Sequence, residues 1–214
     1  MKENKWTLEY TGFTINIQTT PEIFSPHGID KGTLAMLSVV DFSKFHRVLD
    51  LGCGSGIVGI IASKFVGSDN VVMVDNSIHA VKCAEINCEN NDCNEIEVLL
   101  SDGLANTGEK KFDLILSNPP YHEDFSIPKR FIEESFQKLE DDGYIYMVTK
   151  RKEWYKNKLI SVFGGVEIFQ KDGYYIFRSQ KRKFSKKKNS NPVKMMSKKI
   201  RRKMERRGNK YIEY

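Results

Sequence analysis

Arg47-Val48-Leu49-Asp50-Leu51-Gly52-Cys53-Gly54-Ser55-Gly56 is an apolar run that breaks abruptly into glycines. A short apolar run bounded by turn residues reads as a strand buried on both faces, the kind that parallel sheets contain. Outward from it the pattern repeats, with strands predicted near 47–51, 71–75, 95–100, 112–117 and 143–149 and helices near 56–66, 77–90, 128–140 and 151–162. Val166–Phe169 and Tyr174–Phe177 read as an antiparallel pair around Lys171-Asp172-Gly173. Upstream, helical spacing covers Thr33 to Val40, and alternating apolar residues on either side of Thr11-Gly12 predict an N-terminal β-hairpin. The expected class is α/β, a mainly parallel sheet with helices on both faces and an antiparallel C-terminal strand pair.

The 214 residues, 40% of them hydrophobic, suffice for one domain with a full core. Charge is unevenly divided. Residues 181–214 hold fifteen Lys or Arg against Glu205 and Glu213, a net +13, and the rest holds nineteen against twenty-six, a net −7. We therefore expect an N-terminal hairpin and lead-in segment over 1–30, a folded domain over 31–180 and a basic tail over 181–214. Within the tail, Met196, Ile200 and Met204 recur among basic residues, a pattern compatible with a basic helix bearing a narrow apolar stripe. The tail reads either as solubilising charge or as the source of attraction for RNA that an acidic body lacks. No apolar run approaches the length of a membrane span, and the N-terminus opens no signal peptide, so a cytoplasmic protein without a membrane partner is expected. Cys53, Cys83, Cys88 and Cys93 form no C-x-x-C pair, the histidines are scattered, and no metal site is expected.

Two strand ends carry the chemistry. Gly54-Ser55-Gly56-Ile57-Val58-Gly59 satisfies the dinucleotide pattern G-x-G-x-x-G, and Asp75 ends the next strand where a ribose-binding acid is expected. Asp50 argues for a different ligand. A carboxylate at the tip of the first strand repels a pyrophosphate but welcomes the ammonium and sulfonium of S-adenosylmethionine. The second end is Phe112-Asp113-Leu114-Ile115-Leu116-Ser117-Asn118-Pro119-Pro120-Tyr121. An exocyclic amine conjugated to a ring is a poor nucleophile, and two acceptors binding its hydrogens turn its lone pair toward an electrophile. The Asn118 side-chain oxygen and the Pro119 carbonyl suit that role, and the two prolines restrict the backbone that carries them. Tyr121 offers a flat face on which a base can stack. His122 is either a surface residue or a substrate contact.

Asp50 through Gly56, Asp75 after Val71-Val72-Met73-Val74, and Ser117 to Tyr121 together resemble the class I S-adenosylmethionine-dependent methyltransferases across most of residues 30 to 180. Phe24-Ser25-Pro26-His27-Gly28-Ile29-Asp30-Lys31-Gly32-Thr33, and the ending from Phe163 to Ser179, are similar to the small-domain guanine-N2 methyltransferases of ribosomal RNA, single-domain bacterial members in particular. The resemblance implies a Rossmann-like fold, S-adenosylmethionine as cofactor, and methyl transfer to an exocyclic amine of RNA, guanine N2 of ribosomal RNA first. Adenine-N6 and glutamine-N5 enzymes share the Asn-Pro-Pro-Tyr form, whereas the rRNA family usually shows Phe before the His. A non-catalytic ribosome-assembly factor is the alternative outside enzymology. The implied cofactor-binding residues are Thr33, Asp50, Gly52, Cys53, Gly54, Gly56, Asp75, Asn76, Asp102 and Asn118, and the implied catalytic ones Asn118, Pro119, Pro120 and Tyr121. Asp102 is either near the cofactor's adenine or in a solvated turn. Asp30 and Thr33 either border the cofactor pocket or cap a helix. The expected partner is ribosomal RNA or a ribosomal subunit, held by the tail.

Overall fold

The computed structural model describes residues 4–21, 28–120 and 125–183. Tyr121 and His122, the start of the Phe24–Thr33 segment and residues 184–214 of the tail lie outside the described residues. Strands β1 (Asn4–Tyr10) and β2 (Phe13–Thr19) form the expected hairpin as a separate two-stranded sheet. Thr11 and Gly12 both take positive φ, 47° and 88°, which matches the twist of a two-residue hairpin. Helix α1 (Lys31–Leu37) follows. It ends three residues before the predicted limit, because Val39 and Val40 bond back to Met36 and Leu37 in tight turns instead of continuing the helix.

The main sheet then builds in sequence: β3 (Val48–Leu51), α2 (Ile57–Val66), β4 (Val71–Asp75), α3 (Ile78–Glu89), β5 (Glu97–Leu100), β6 (Phe112–Ser117), α4 (Ser126–Lys138), β7 (Leu139–Thr149), α5 (Lys152–Phe163), β8 (Glu167–Lys171) and β9 (Tyr174–Gln180). Strand order is β5-β4-β3-β6-β7-β9-β8. The first five strands are parallel, β9 runs antiparallel to β7, and β8 antiparallel to β9. This is the Rossmann-like arrangement expected of a class I methyltransferase fold. Side chains leave the central strands alternately for two cores. Val48, Leu114, Leu116, Tyr146 and Val148 pack with α1, α2 and the hairpin. Leu49, Leu51, Ile115, Ile145 and Met147 pack with α4 and α5. A sheet covered on both faces explains why its strands read as unbroken apolar runs.

The boundary between α4 and β7 also differs from the sequence reading. Helix α4 stops at Lys138 and β7 begins at Leu139, which is buried opposite Phe112. Between Leu139 and Tyr144 the register shifts, and Asp142 takes φ 67°. The acidic run Glu140-Asp141-Asp142 hides this early strand entry, since its side chains face solvent and break the period of two.

Two amides hold the hairpin, Asn87 in α3 and Asn91 in the turn just beyond its C-terminal end. Asn91 accepts from Asn16 N (2.8 Å) and donates to Asn16 O (2.7 Å), while Asn87 accepts from Gln18 N (2.7 Å) and donates to Gln18 O (2.9 Å). Each amide thus pairs with the edge of β2 as a neighbouring strand would. Asn87 also donates to Ser55 O (2.9 Å), tying the hairpin to the glycine loop. Replacing Asn87 by Leu strands these partners, at a cost of about 1–3 kcal/mol for each group left buried and unpaired. Asn87→Leu is therefore expected to lower the urea midpoint without changing the slope, and to speed hydrogen exchange in β2 before any other strand.

Candidate functional site

Beside β3 the chain order of the sheet reverses, since β4 lies on one side and β6 on the other. Connections leave in opposite directions at such a point and open a crevice beyond the strands' C-terminal ends. Here the crevice is a cavity of about 540 Å³ lined from β3, β4, β6, α1 and α4. Its floor is the glycine loop, held by Gly52 N and Cys53 N donating to Val74 O at 2.9 and 3.0 Å. Gly54 takes φ +55°, and a Cβ there would meet nothing within 4 Å, so the loop turns a bare face to the cavity. At Gly59 the requirement is the reverse. A Cβ would fall 2.4 Å from Met73 Cε, so a larger residue would force the buried Met73 side chain between α2 and β4 to move.

Asp75 accepts from Gly54 N (3.0 Å) through Oδ2 and from Ser77 N (2.9 Å) through Oδ1. It thereby fixes both the glycine loop and the start of α3. Asp50 is 3% exposed, on the cavity wall beneath the loop, and its Oδ2 accepts from Gly59 N at 3.0 Å. Burial pushes its pKa up to about 7; the Gly59 N–H opposes the shift and the nearby Asp75 adds to it. Cys53 and Asn76 also line the cavity, and burial holds the Cys53 thiol well above its ordinary range.

The second motif closes the opposite wall. Ser117 Oγ donates to Leu51 O (2.8 Å), locking the ends of β6 and β3 together. Asn118 Nδ2 donates to Asp30 Oδ2 and to Thr33 Oγ1, both at 2.9 Å. Its carbonyl Oδ1 is buried and has no hydrogen-bond partner among the described residues. Buried acceptors are rarely left unpaired, and one at a cavity wall marks a place for a donor from outside. Pro119 is buried and Pro120 exposed, both on the wall.

Asp102 lines the cavity with its carboxylate engaged by both terminal nitrogens of Arg130, which hold it below the usual carboxylate range. Arg130 was not legible from the sequence as a site residue, nor was Trp6, which reaches the cavity from the hairpin with its Nε1 buried and, among the described residues, without a hydrogen-bond partner. The only sequence signal for Trp6 was its place on the inward face of β1. Among the described residues, no group of three or more His, Cys, Asp or Glu side chains could hold a metal ion, and no helix is long and apolar enough to cross a membrane.

Residues 14–178 match the model of the methyltransferase small domain. The ribosomal RNA large subunit methyltransferase G of Photobacterium profundum is 31% identical over 176 residues, 78% of this chain and 47% of that protein. Its namesake in Psychromonas ingrahamii is 29% identical over 183 residues, 82% of this chain and 48% of that protein. The chain thus spans about half the length of these relatives. A T. thermophilus 16S rRNA N2 methyltransferase, solved in complex with AdoMet and guanosine, superimposes with a TM-score of 0.77 at 23% identity, over 84% of this chain and 51% of that one.

The raised pKa of Asp50 has a measurable sign. The folded state keeps a proton there that the unfolded chain loses near pH 4, so stability falls as pH rises through this window and levels off above about 7. Subtracting the denaturation curve of Asp50→Asn from that of wild type should isolate a decline on the order of 3–4 kcal/mol between pH 4 and pH 8. A flat difference would mean that Asp50 is ionised in the folded state at all these pH values.

Proposed function

The chain belongs to the methyltransferase small domain family, and from that premise we propose that it transfers a methyl group from S-adenosylmethionine to an exocyclic amine of RNA, guanine N2 of ribosomal RNA, in the cytoplasm. The observation that carries this reading is the buried Oδ1 of Asn118 just after β6, which has no hydrogen-bond partner among the described residues. It is an acceptor held ready for an N–H, and the donor of a reaction at an amine is that amine. The relatives, rRNA methyltransferases of the large and small subunits, support the same substrate class.

The residues present fit the cofactor. Gly54 leaves an open face over the loop. Both Asp75 oxygens keep a lone pair beyond those used by Gly54 N and Ser77 N, enough to accept two ribose hydroxyls. Asp50, Gly52, Cys53, Gly56, Asn76, Asp102 and Thr33 would complete the binding site. When bound, S-adenosylmethionine supplies a methyl group already activated on a sulfonium. The protein's task is alignment. Asn118 Oδ1 and the Pro119 carbonyl accept the two hydrogens of the amine, so that its lone pair, delocalised into the ring in solution, points at the incoming carbon. Pro120 stiffens the backbone after Asn118, and Tyr121 is the stacking face expected from the sequence. The product loses a proton to solvent, so no strong general base is needed.

Asp75→Ala should weaken S-adenosylmethionine binding in calorimetry by about 1–3 kcal/mol, the range for hydrogen bonds to a charged group. Mass spectrometry of total-RNA nucleosides from cells with and without the chain tests the product. Loss of N2-methylguanosine is the expected result; loss of N6-methyladenosine alone would transfer the activity to adenine, and no change would remove RNA as the substrate.

The basic tail supplies the remaining part of the proposal. Lys181 extends the β9 pairing by one residue, exchanging backbone hydrogen bonds with Asp142 and Gly143, so a clean cut falls after Lys183. Removing 184–214 should leave cofactor affinity intact and weaken binding to ribosomal RNA, and only the full chain should show a steep fall with salt, as counterion release requires. Equal RNA affinity at low salt for the two proteins would return the tail to a solubilising role.

A further inference from the structure

We propose that Asp30 and Thr33 are positioning residues that lock the Asn118 amide in one of its two orientations, with the carbonyl oxygen presented as the acceptor. The proposal rests on the reading of Asn118 given above and adds to it the cause of its geometry. An asparagine amide has two ends of nearly the same shape, one a carbonyl acceptor and the other a double donor. Rotation by half a turn exchanges them at little steric cost. If the amino end faced the reacting amine, hydrogens would meet hydrogens and the lone pair would not be aimed.

Three observations prevent that exchange. Asp30 Oδ2 and Thr33 Oγ1 both lie 2.9 Å from Asn118 Nδ2, one for each amide hydrogen. A carboxylate only accepts, so the amide end facing it is the amino end; the flipped orientation would set a carbonyl against a carboxylate. Asp30 is itself held in place. Its Oδ2 accepts from Thr33 N (3.0 Å) as the N-cap of α1, and Tyr174 OH donates to its Oδ1 (3.4 Å). Gly32 completes the fixture, because a Cβ there would stand 2.7 Å from Tyr174 Cε1 and 2.8 Å from Asp30 Oδ2. The aspartate is therefore both helix cap and amide lock. Thr33, expected from the sequence to border the cofactor pocket or cap a helix, lines the cavity and donates its backbone N–H to the cap, and its hydroxyl oxygen also accepts from Asn118.

Side-chain amide NMR tests this without relying on turnover. The Asn118 NH2 pair is identified by its loss in Asn118→Ala. In wild type both hydrogens should exchange slowly with water. Thr33→Val removes one acceptor but leaves the capping backbone N–H untouched, so the fold should survive. Exchange of the pair is expected to speed by about tenfold or more, and the single-turnover methylation of ribosomal RNA from cells lacking the chain to slow by a similar factor. KM for RNA should change by less than about twofold in the same variant, so that the loss falls on the methyl-transfer step. Thr33→Ser should recover most of both losses, and Asp30→Asn, which keeps an acceptor, should retain more than Asp30→Leu. Unchanged Asn118 signals in both Thr33→Val and Asp30→Leu would overturn the proposal. If those signals shift as expected but wild type methylates no RNA, the positioning role stands and the assignment of substrate fails.

Discussion

Everything in this molecule depends on β3 having neighbours on both sides whose connections leave in opposite directions. Its four residues, Val48 to Leu51, are all buried. Side chains pointing either way are covered by helices, so none of the strand's surface is free for a ligand. The only open part is its C-terminal end, where the chain must turn out of the sheet. Glycines at that turn and the Ser117–Leu51 bond across to β6 keep the two strand ends level. The crevice follows from topology before any side chain gives it chemistry.

This constraint also explains what could be read from the sequence. Strands covered on both faces give continuous apolar runs, and the turns that end them need glycine or proline, so β3, β4, β6, β7 and β9 and the two motifs were visible in one chain. Contacts made between distant elements left no such mark. Asn87 and Asn91 look like ordinary polar residues on or just after a helix, and nothing in their spacing says that they face a strand edge. Arg130 sits on α4 among other charged residues, and its pairing with Asp102 exists only because α4 crosses that end of the sheet. The start of β7 was missed because Glu140, Asp141 and Asp142 are solvated where a strand entry normally alternates.

Asn87 joins the N-terminal hairpin to the glycine loop. Its amide touches Gln18 in the hairpin and Ser55 in the glycine loop, and the hairpin carries Trp6 to the cavity. A hairpin alone is marginally stable in water. Docked through α3 it becomes a wall of the site, and its position is transmitted to the loop through one buried side chain.

The cavity's charge decides what it can hold. Four aspartates line it among the described residues, Asp30, Asp50, Asp75 and Asp102, against one arginine. Each is restrained differently. Asp30 caps α1 and accepts from an amide, Asp75 accepts two backbone N–H groups, Asp102 is paired with Arg130, and burial pushes the Asp50 pKa up to about 7. A pyrophosphate would meet acids on several sides with a single guanidinium already committed. A ligand bearing an ammonium and a sulfonium would instead supply the charge that Asp50 lacks, drawing its proton off. The same acidity repels an RNA backbone, so a nucleic-acid substrate can enter this crevice only as an extruded base, with its phosphates held elsewhere on the protein.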